Sequence, residues 1–180
     1  MFLKFPKFLS VDECSYIKEI MLDKEKEILK LPKDNDFYEG TTARFMEYNF
    51  LNYIPEINLP QKLFALSVLE DLTELWVQCW ANVLHQNQEL KLHDHGEKRD
   101  FLVGNIFISG QSNTAYYEHA GYVQNEIGDL YLIDSNLKHA VPANMANDFR
   151  LSIAFDIYEK NPTHLINYDK RIVYAKNKVY

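Results

Sequence analysis

The spacing of apolar positions changes along the chain, from a helical period in the first third to alternation in the rest. Ser10-Val11-Asp12-Glu13 reads as a capping box, and apolar residues follow it at three- and four-residue intervals. This pattern predicts a helix over about 11–30. A second helix is predicted to begin near Gln61, because an apolar stripe of the same period continues from there to Trp76.

Beyond Trp76 the polarity alternates in short segments that begin about every ten residues, which is typical of β-strands. The predicted strands are 77–84, 89–95, 101–109, 114–118, 129–133, 138–141 and 149–158. Five of the 6 glycines lie between Gly96 and Gly128, as expected for closely spaced strands and turns. The pattern predicts a mainly β fold with N-terminal helices: a double-stranded β-helix (a jelly roll, cupin-like) braced by two helices.

Length and composition favour one domain over 1–180, with helical support at 1–76, a jelly-roll core at about 77–158 and a C-terminal extension at 159–180. The net charge of −7 argues against a nucleic-acid partner. No membrane association is expected, since no apolar run approaches the roughly 20 residues that span a bilayer. The N-terminal segment lacks a signal-peptide cleavage site, and the 2 cysteines form no disulfide framework. A cytoplasmic location is therefore expected.

The candidate chemistry begins at His93-Asp94-His95. In a strand, positions i and i+2 face the same side, so both imidazoles can reach one metal ion while Asp94 points to the opposite face. A third ligand has to come from a strand that is distant in sequence. His139, which follows the apolar strand predicted at 129–133, is the best candidate.

Arg150 and Ser152 open the last predicted strand, eleven residues beyond His139. An arginine that enters a barrel is a costly buried charge unless it meets an anion. Its planar fork suits a carboxylate, and Ser152, at i+2, would face the same ligand. The alternative is a salt bridge on the rim, with Asp129 or Asp134 as the partner.

These residues belong to six short motifs in a fixed order. They are Trp80-Ala81-Asn82, His93-Asp94-His95, Val103-Gly104, Gly128-Asp129-Leu130, His139-Ala140-Val141-Pro142-Ala143-Asn144 and Arg150-Leu151-Ser152-Ile153-Ala154-Phe155. The set resembles the Fe(II)/2-oxoglutarate-dependent dioxygenases, above all the small bacterial and phage-type 2-oxoglutarate–iron oxygenases. The resemblance covers about residues 76–158.

The resemblance implies that Fe(II) and 2-oxoglutarate are the cofactors. Three histidines would hold Fe(II), and 2-oxoglutarate would chelate the metal through its 1-carboxylate and keto oxygen. Its 5-carboxylate would reach Arg150 and Ser152, with Asn105 and Tyr131 as further candidates for orienting it. The implied reaction hydroxylates an unidentified small molecule or protein side chain and converts 2-oxoglutarate to succinate.

The ligand set departs from the family pattern. The usual facial triad has two histidines and one carboxylate, and here His95 stands at the carboxylate position. The favoured set is His93, His95 and His139. The alternatives include a carboxylate: Glu97, with His95 as its partner and His93 outside the site, or Asp94.

Two other functions stay open. One is a cupin-type metal-binding protein or enzyme that does not use 2-oxoglutarate, which would not need Arg150 and Ser152. The other is a non-catalytic jelly-roll module for binding or structure. The many aromatic residues also suggest a homodimer that uses the N-terminal helices or the tail Tyr168–Tyr180.

Overall fold

In a computed structural model of the protein, the described residues are 1–28, 30, 50–96, 101–160 and 172–176. Within them the helices are α1 (Val11–Ile28) and α2 (Leu59–Phe64), with short 3-10 turns at Phe50–Tyr53, Pro55–Ile57 and Ser67–Leu69. The strands are β1 (Phe2–Phe5), β2 (Glu74–Leu84), β3 (Leu90–His93), β4 (Phe101–Ser109), β5 (Thr114–Tyr117), β6 (Gly121–Gln124), β7 (Leu130–Asp134), β8 (His139–Val141), β9 (Arg150–Tyr158) and β10 (Ile172–Lys176).

The strands form two antiparallel sheets. The major sheet has six strands in the order β1-β7-β4-β9-β2-β10, and the minor sheet has four in the order β3-β8-β5-β6. Apart from the β5–β6 hairpin, neighbouring strands in both sheets are distant in sequence, as in a jelly roll. The predicted fold class, a mainly β double sheet with N-terminal helices, is confirmed.

Helix α1 packs on one face of the major sheet, and its start follows the predicted capping box. The Ser10 N–H donates to Glu13 Oε2 at 2.9 Å, and the Glu13 N–H donates to Ser10 Oγ at 3.2 Å. Cys14, Ile17 and Met21 are buried in the main apolar core together with the residues of β2 and β9 that face the helix. This layer leaves the other face of the sheet to meet the minor sheet.

The second helix is shorter than predicted. α2 ends at Phe64, and Leu75 and Trp76 lie in β2, which begins at Glu74. The apolar stripe is real, but β2 pairs along its length with β9, Trp76 opposite Tyr158, and this pairing overrides the helical period. Among the described residues, no helix combines the length and apolar character that crossing a membrane requires.

Three strands were not predicted: β1, β6 and β10, the last of which lies within the segment expected to be a C-terminal extension. β1 pairs with β7 at an edge of the major sheet, and Lys4 Nζ lies 2.7 Å from Asp129 Oδ2. Four residues before a helix cap are too few to show an alternating pattern. β1 is therefore recognisable only through its tertiary partners.

Candidate metal centre

The structure brings His93, His95 and His139 together between the two sheets. His93 ends β3 and is the cross-strand partner of His139, which begins β8. The ring centroids are 4.4 Å apart for His93 and His139, 5.2 Å for His95 and His139, and 5.5 Å for His93 and His95. One ligand nitrogen from each ring lies within 4.8 Å of the others, so one ion is within reach of all three.

His95 reaches this cluster from a turn, and the prediction of a strand over 89–95 was wrong at its end. β3 stops at His93, and the His95 N–H donates to the Ser135 carbonyl at 2.8 Å. Asp94 is exposed, and its Oδ1 accepts from the Gly96 N–H at 3.0 Å. The carboxylate of Asp94 thus holds the turn that aims His95 inward, and it is not part of the cluster.

The Nδ1 atom of each clustered histidine has an oxygen partner. His93 Nδ1 lies 2.7 Å from the Lys91 carbonyl, and His139 Nδ1 lies 3.0 Å from the Leu137 carbonyl. Because a carbonyl only accepts, both rings must carry their proton on Nδ1. Their Nε2 lone pairs are then the ones that a metal can use, which is the usual arrangement of metal-binding histidines.

Burial favours the neutral form of His139 and of His93. Desolvation, together with the neighbouring His93 and His95, lowers the pKa of His139 to about 3. Desolvation also lowers the pKa of His93, although its hydrogen bond to the Lys91 carbonyl works in the opposite direction. Neutral imidazoles are the form that binds a metal ion, so these two rings are in that form at neutral pH.

Two residues that the sequence did not single out as site residues contact His95. Asp156 Oδ1 on β9 lies 2.8 Å from His95 Nδ1, and the Trp80 ring on β2 stacks on the imidazole with a centroid distance of 5.6 Å. Asp156 lies four residues after Ser152, so the period of two in this strand placed both on one face. This shared face was the sequence signal that could have identified Asp156. Trp80 belongs to the motif Trp80-Ala81-Asn82, but no role had been assigned to it.

Arg150 is fully buried, at 0% exposure, and its charge is poorly compensated. Its Nη1 lies 3.5 Å from Ser152 Oγ, and its guanidinium lies 5.4 Å above the Phe107 ring. Nε and Nη2 are buried without a hydrogen-bond partner within the described part of the chain. Burial lowers the pKa of Arg150 to about 10, which still leaves it charged at neutral pH. Two unsatisfied donors on a buried cation fit a carboxylate ligand.

The rim salt bridge considered as an alternative does not form. Asp129 is bound by Lys4, and Asp134 by the amino group of Met1. Ser152 instead accepts from the buried amide of Asn82 at 3.3 Å, and the Asn82 Oδ1 has no partner among the described residues. Arg150, Ser152 and Asn82 therefore form a polar group on the inner face of the major sheet.

Tyr117 connects the two halves of the site. Its ring stacks near His139 at 6.2 Å and against Tyr131 at 5.4 Å. Burial raises the pKa of the Tyr117 hydroxyl, and the positive charge of Arg150 opposes this increase. Tyr117 therefore lies beside both the histidine cluster and the arginine.

The remaining predicted site residues lie farther out. Tyr131 is buried behind Tyr117, with the Lys4 ammonium 5.6 Å from its ring centroid. Asn105 is half-buried on β4 beside Tyr131, its cross-strand partner. Their proposed contact with a cosubstrate stays a prediction. Glu97, the alternative ligand, lies outside the described residues.

The solved structures that are similar to this chain include proteins described as 2OG-Fe(II) oxygenases or solved with 2-oxoglutarate bound. Neither a protein-family model nor a curated protein sequence matches the chain. A prolyl-4-hydroxylase from Pseudomonas putida superposes with a TM-score of 0.56 at 14% identity, covering 88% of this chain and 92% of that one. HygX from Streptomyces hygroscopicus, solved with nickel and 2-oxoglutarate bound, has a TM-score of 0.61 at 12% identity, with 87% and 82% covered.

A third structure, an oxidoreductase of the 2OG-Fe(II) oxygenase family from Burkholderia pseudomallei, has a TM-score of 0.60 at 12% identity and covers 89% of this chain and 85% of that one. At these identities the comparison establishes the fold. The chain therefore has the fold of the Fe(II)/2-oxoglutarate-dependent oxygenases, as the sequence motifs indicated.

Proposed function

We propose that the protein is an Fe(II)- and 2-oxoglutarate-dependent dioxygenase that hydroxylates a small molecule or a protein side chain. The observation that carries the proposal is the buried Arg150 guanidinium, whose Nε and Nη2 have no hydrogen-bond partner among the described residues, in the same fold that clusters three histidines. A protein that only bound a metal would gain nothing from this charge, since burying it without a partner costs several kcal/mol.

The inner face of β9 carries Arg150 and also contacts the histidine cluster. Arg150, Ser152 and Asp156 alternate along β9, and Asp156 contacts His95. The Arg150 side chain extends along the strand towards Ser152. A diacid with one end on the histidine cluster and the other end on Arg150 would satisfy both the metal ion and the guanidinium.

Each chain residue then has a definite task. His93, His95 and His139 hold the metal, and their Nδ1 partners fix the ring orientations. Arg150 and Ser152 bind the distal carboxylate at a buried position, where a charged hydrogen bond is stronger than in solvent. The bound Fe(II) and 2-oxoglutarate supply the oxidative chemistry, in which the cosubstrate becomes succinate. The stacked Tyr117 and Trp80 rings pack around the histidines and limit access of water.

The test is a titration of 2-oxoglutarate into anaerobic, Fe(II)-loaded protein, followed by the metal-to-ligand charge-transfer band. The wild type should develop the band. Arg150→Ala should bind 2-oxoglutarate about ten- to a hundred-fold more weakly, since it loses charged hydrogen bonds of about 1.5–3 kcal/mol. Its affinity for Fe(II) should match that of the wild type, because Arg150 is not a ligand. The control is Lys138→Ala, which removes an exposed cation near His139.

Three outcomes would contradict the proposal in different ways. A wild type that loads iron but binds no 2-oxoglutarate at millimolar concentration would favour a cupin-type metal protein. A wild type that binds no divalent metal would favour a non-catalytic module. Equal binding of 2-oxoglutarate by wild type and Arg150→Ala would show that another basic residue holds the distal carboxylate.

A further inference from the structure

Building on the proposed metal site, we propose that Asp156 is a positioning residue. It contacts the side of the His95 ring that faces away from the metal position, and its negative charge substitutes for the carboxylate of the usual ligand set. The usual triad carries its negative charge on the metal itself. In this chain the three candidate ligands are imidazoles, and the buried carboxylate of Asp156 contacts one of them, His95. Asp156 orients the His95 ring and supplies the compensating charge through that ring.

The contacts of Asp156 support this role. Oδ1 lies 2.8 Å from His95 Nδ1, and Oδ2 accepts a hydrogen bond from the Tyr158 hydroxyl at 3.4 Å. The residue is 7% exposed on the inner face of β9. Both carboxylate oxygens of Asp156 therefore have partners. Oδ1, the oxygen directed at the site, contacts Nδ1 of the candidate ligand His95.

His95 differs in this respect from the other two histidines. The Nδ1 atoms of His93 and His139 bond to backbone carbonyls, which any sequence would provide. Only His95 among the three is backed by a side chain that carries a full charge. His95 also comes from a turn rather than from a strand, so it needs an outside contact to fix its ring. A carboxylate behind a ligand imidazole increases the basicity of the ring and typically contributes a factor of about ten to a hundred to metal affinity.

The unfavourable free energy of burying the Asp156 carboxylate also supports a role linked to a bound metal ion. A buried carboxylate is unfavourable unless a positive charge compensates it. Among the described residues its ion-pair contact is with His95, whose ring carries a charge only when it is protonated. A divalent cation on the far side of that ring would supply a positive charge beyond the one contact that the described residues offer.

The experiment measures the affinity of metal-free protein for Co(II), by titration with the visible d–d bands as the signal. Asp156→Asn keeps the size of the side chain and an oxygen that can accept from His95 Nδ1, so it removes the charge alone. Asp156→Ala removes the charge and the hydrogen bond. We expect Asp156→Asn to bind Co(II) about ten- to a hundred-fold more weakly than the wild type, and Asp156→Ala to bind still more weakly with altered d–d bands.

The matched control is Asp129→Asn, which neutralises another buried carboxylate, directly before β7, whose contacts are with Lys4 and the N–H groups of Lys7 and Glu126. It should lower the stability of the protein and leave the Co(II) affinity unchanged. Urea unfolding with EDTA present shows whether each variant folds without metal. A purely structural role for Asp156 would alter that unfolding and leave the Co(II) affinity of the folded protein unchanged.

The outcomes separate this inference from the proposed function. Co(II) affinities of wild type and Asp156→Asn within about two-fold of each other, too small a difference for an outer ligand partner, would overturn the inference alone. A wild type that binds Co(II), with Asp156→Asn weakened but no charge-transfer band with 2-oxoglutarate, would overturn the proposed function and leave the role of Asp156 intact. A wild type that binds no Co(II) would overturn both.

Discussion

The two faces of strand β9 are equally buried and chemically opposite. Every residue from Arg150 to Tyr158 is buried. The face towards α1 carries Leu151, Ile153, Phe155 and Ile157, all in the main apolar core. The face towards the minor sheet carries Arg150, Ser152, Ala154, Asp156 and Tyr158.

The difference lies in what each face can satisfy within the chain. The apolar face packs against helix and sheet and stabilises the fold. The polar face keeps buried groups that have no hydrogen-bond partner in the described part of the chain, among them Nε and Nη2 of Arg150. Burial alone therefore does not distinguish core from site. Buried polar groups without hydrogen-bond partners do distinguish a site from the core, because they lower the stability of the fold unless a ligand supplies the missing hydrogen bonds.

Truncation on the apolar face should have the largest effect. Phe155 is fully buried, and its ring fills the space over Gly104, where a Cβ would lie 2.1 Å from the ring. Phe155→Ala should reduce the free energy of unfolding by about 3–5 kcal/mol, measured by urea denaturation. Tyr122→Ala, at a side chain that is 72% exposed, should change it by less than about 0.5 kcal/mol. Similar losses for the two variants would show that the face of β9 towards α1 is not the stabilising one.

Removing the charge on the polar face should have the opposite sign. Arg150→Met replaces a buried, poorly paired guanidinium by an apolar side chain of similar length. The metal-free protein should gain about 1–4 kcal/mol in its free energy of unfolding, while 2-oxoglutarate binding is lost. Arg150→Lys keeps a buried charge and should show no such gain. A destabilised Met variant would mean that the guanidinium contributes to the fold.

The histidine cluster should make the metal-free protein sensitive to acid. The folded-state pKa of His139 is about 3, below the usual 6.5, so the unfolded chain takes up a proton first as the pH falls. Stability is therefore fully present above about pH 6.5 and decreases below it. Between pH 7.5 and 5.5, His139 alone should account for a loss of about 1.4 kcal/mol. His139→Gln, unfolded by urea with EDTA at both pH values, should show a smaller loss, and an unchanged loss would be inconsistent with a neutral buried ring.

Ser152→Ala should have the smallest effect of the four. The hydroxyl accepts from Asn82 and lies at the edge of hydrogen-bond distance from Arg150. Its removal should weaken 2-oxoglutarate binding by about 1 kcal/mol, or roughly five-fold, with Fe(II) binding unchanged. An effect as large as that of Arg150→Ala would mean that Ser152 is the main contact of the distal carboxylate.

The sequence was informative where a local period determines the structure. The capping box fixed the start of α1 at Val11, and alternation placed β4 at its observed bounds, Phe101–Ser109. In both cases neighbouring residues carry the signal themselves. The order of the motifs pointed to His93, His95 and His139, which the structure brings together, and to Arg150, while their roles stay predictions.

The sequence was uninformative where tertiary pairing decides. Trp76 fits a helical stripe equally well, and its pairing with Tyr158 places it in β2. The role of Asp156 depends on a contact with His95, 61 positions away, that no local pattern encodes. Two imidazoles at i and i+2 were expected to share a strand face, yet a turn held by Asp94 brings His95 to the site. The predicted cluster thus forms by a route that the strand period does not describe.

The short strands of the minor sheet have a consequence for amide hydrogen exchange. β3, β8, β5 and β6 have three or four residues each, and β3 and β8 pair with an irregular register between Leu90 and His93. Such a sheet opens locally at a lower free energy than the longer pairing of β2, β9 and β4. Two of the three clustered histidines lie on it. An ion that bridges them to His95 would slow exchange in β3 and β8 most, leaving the slow exchange of β9 almost as it was.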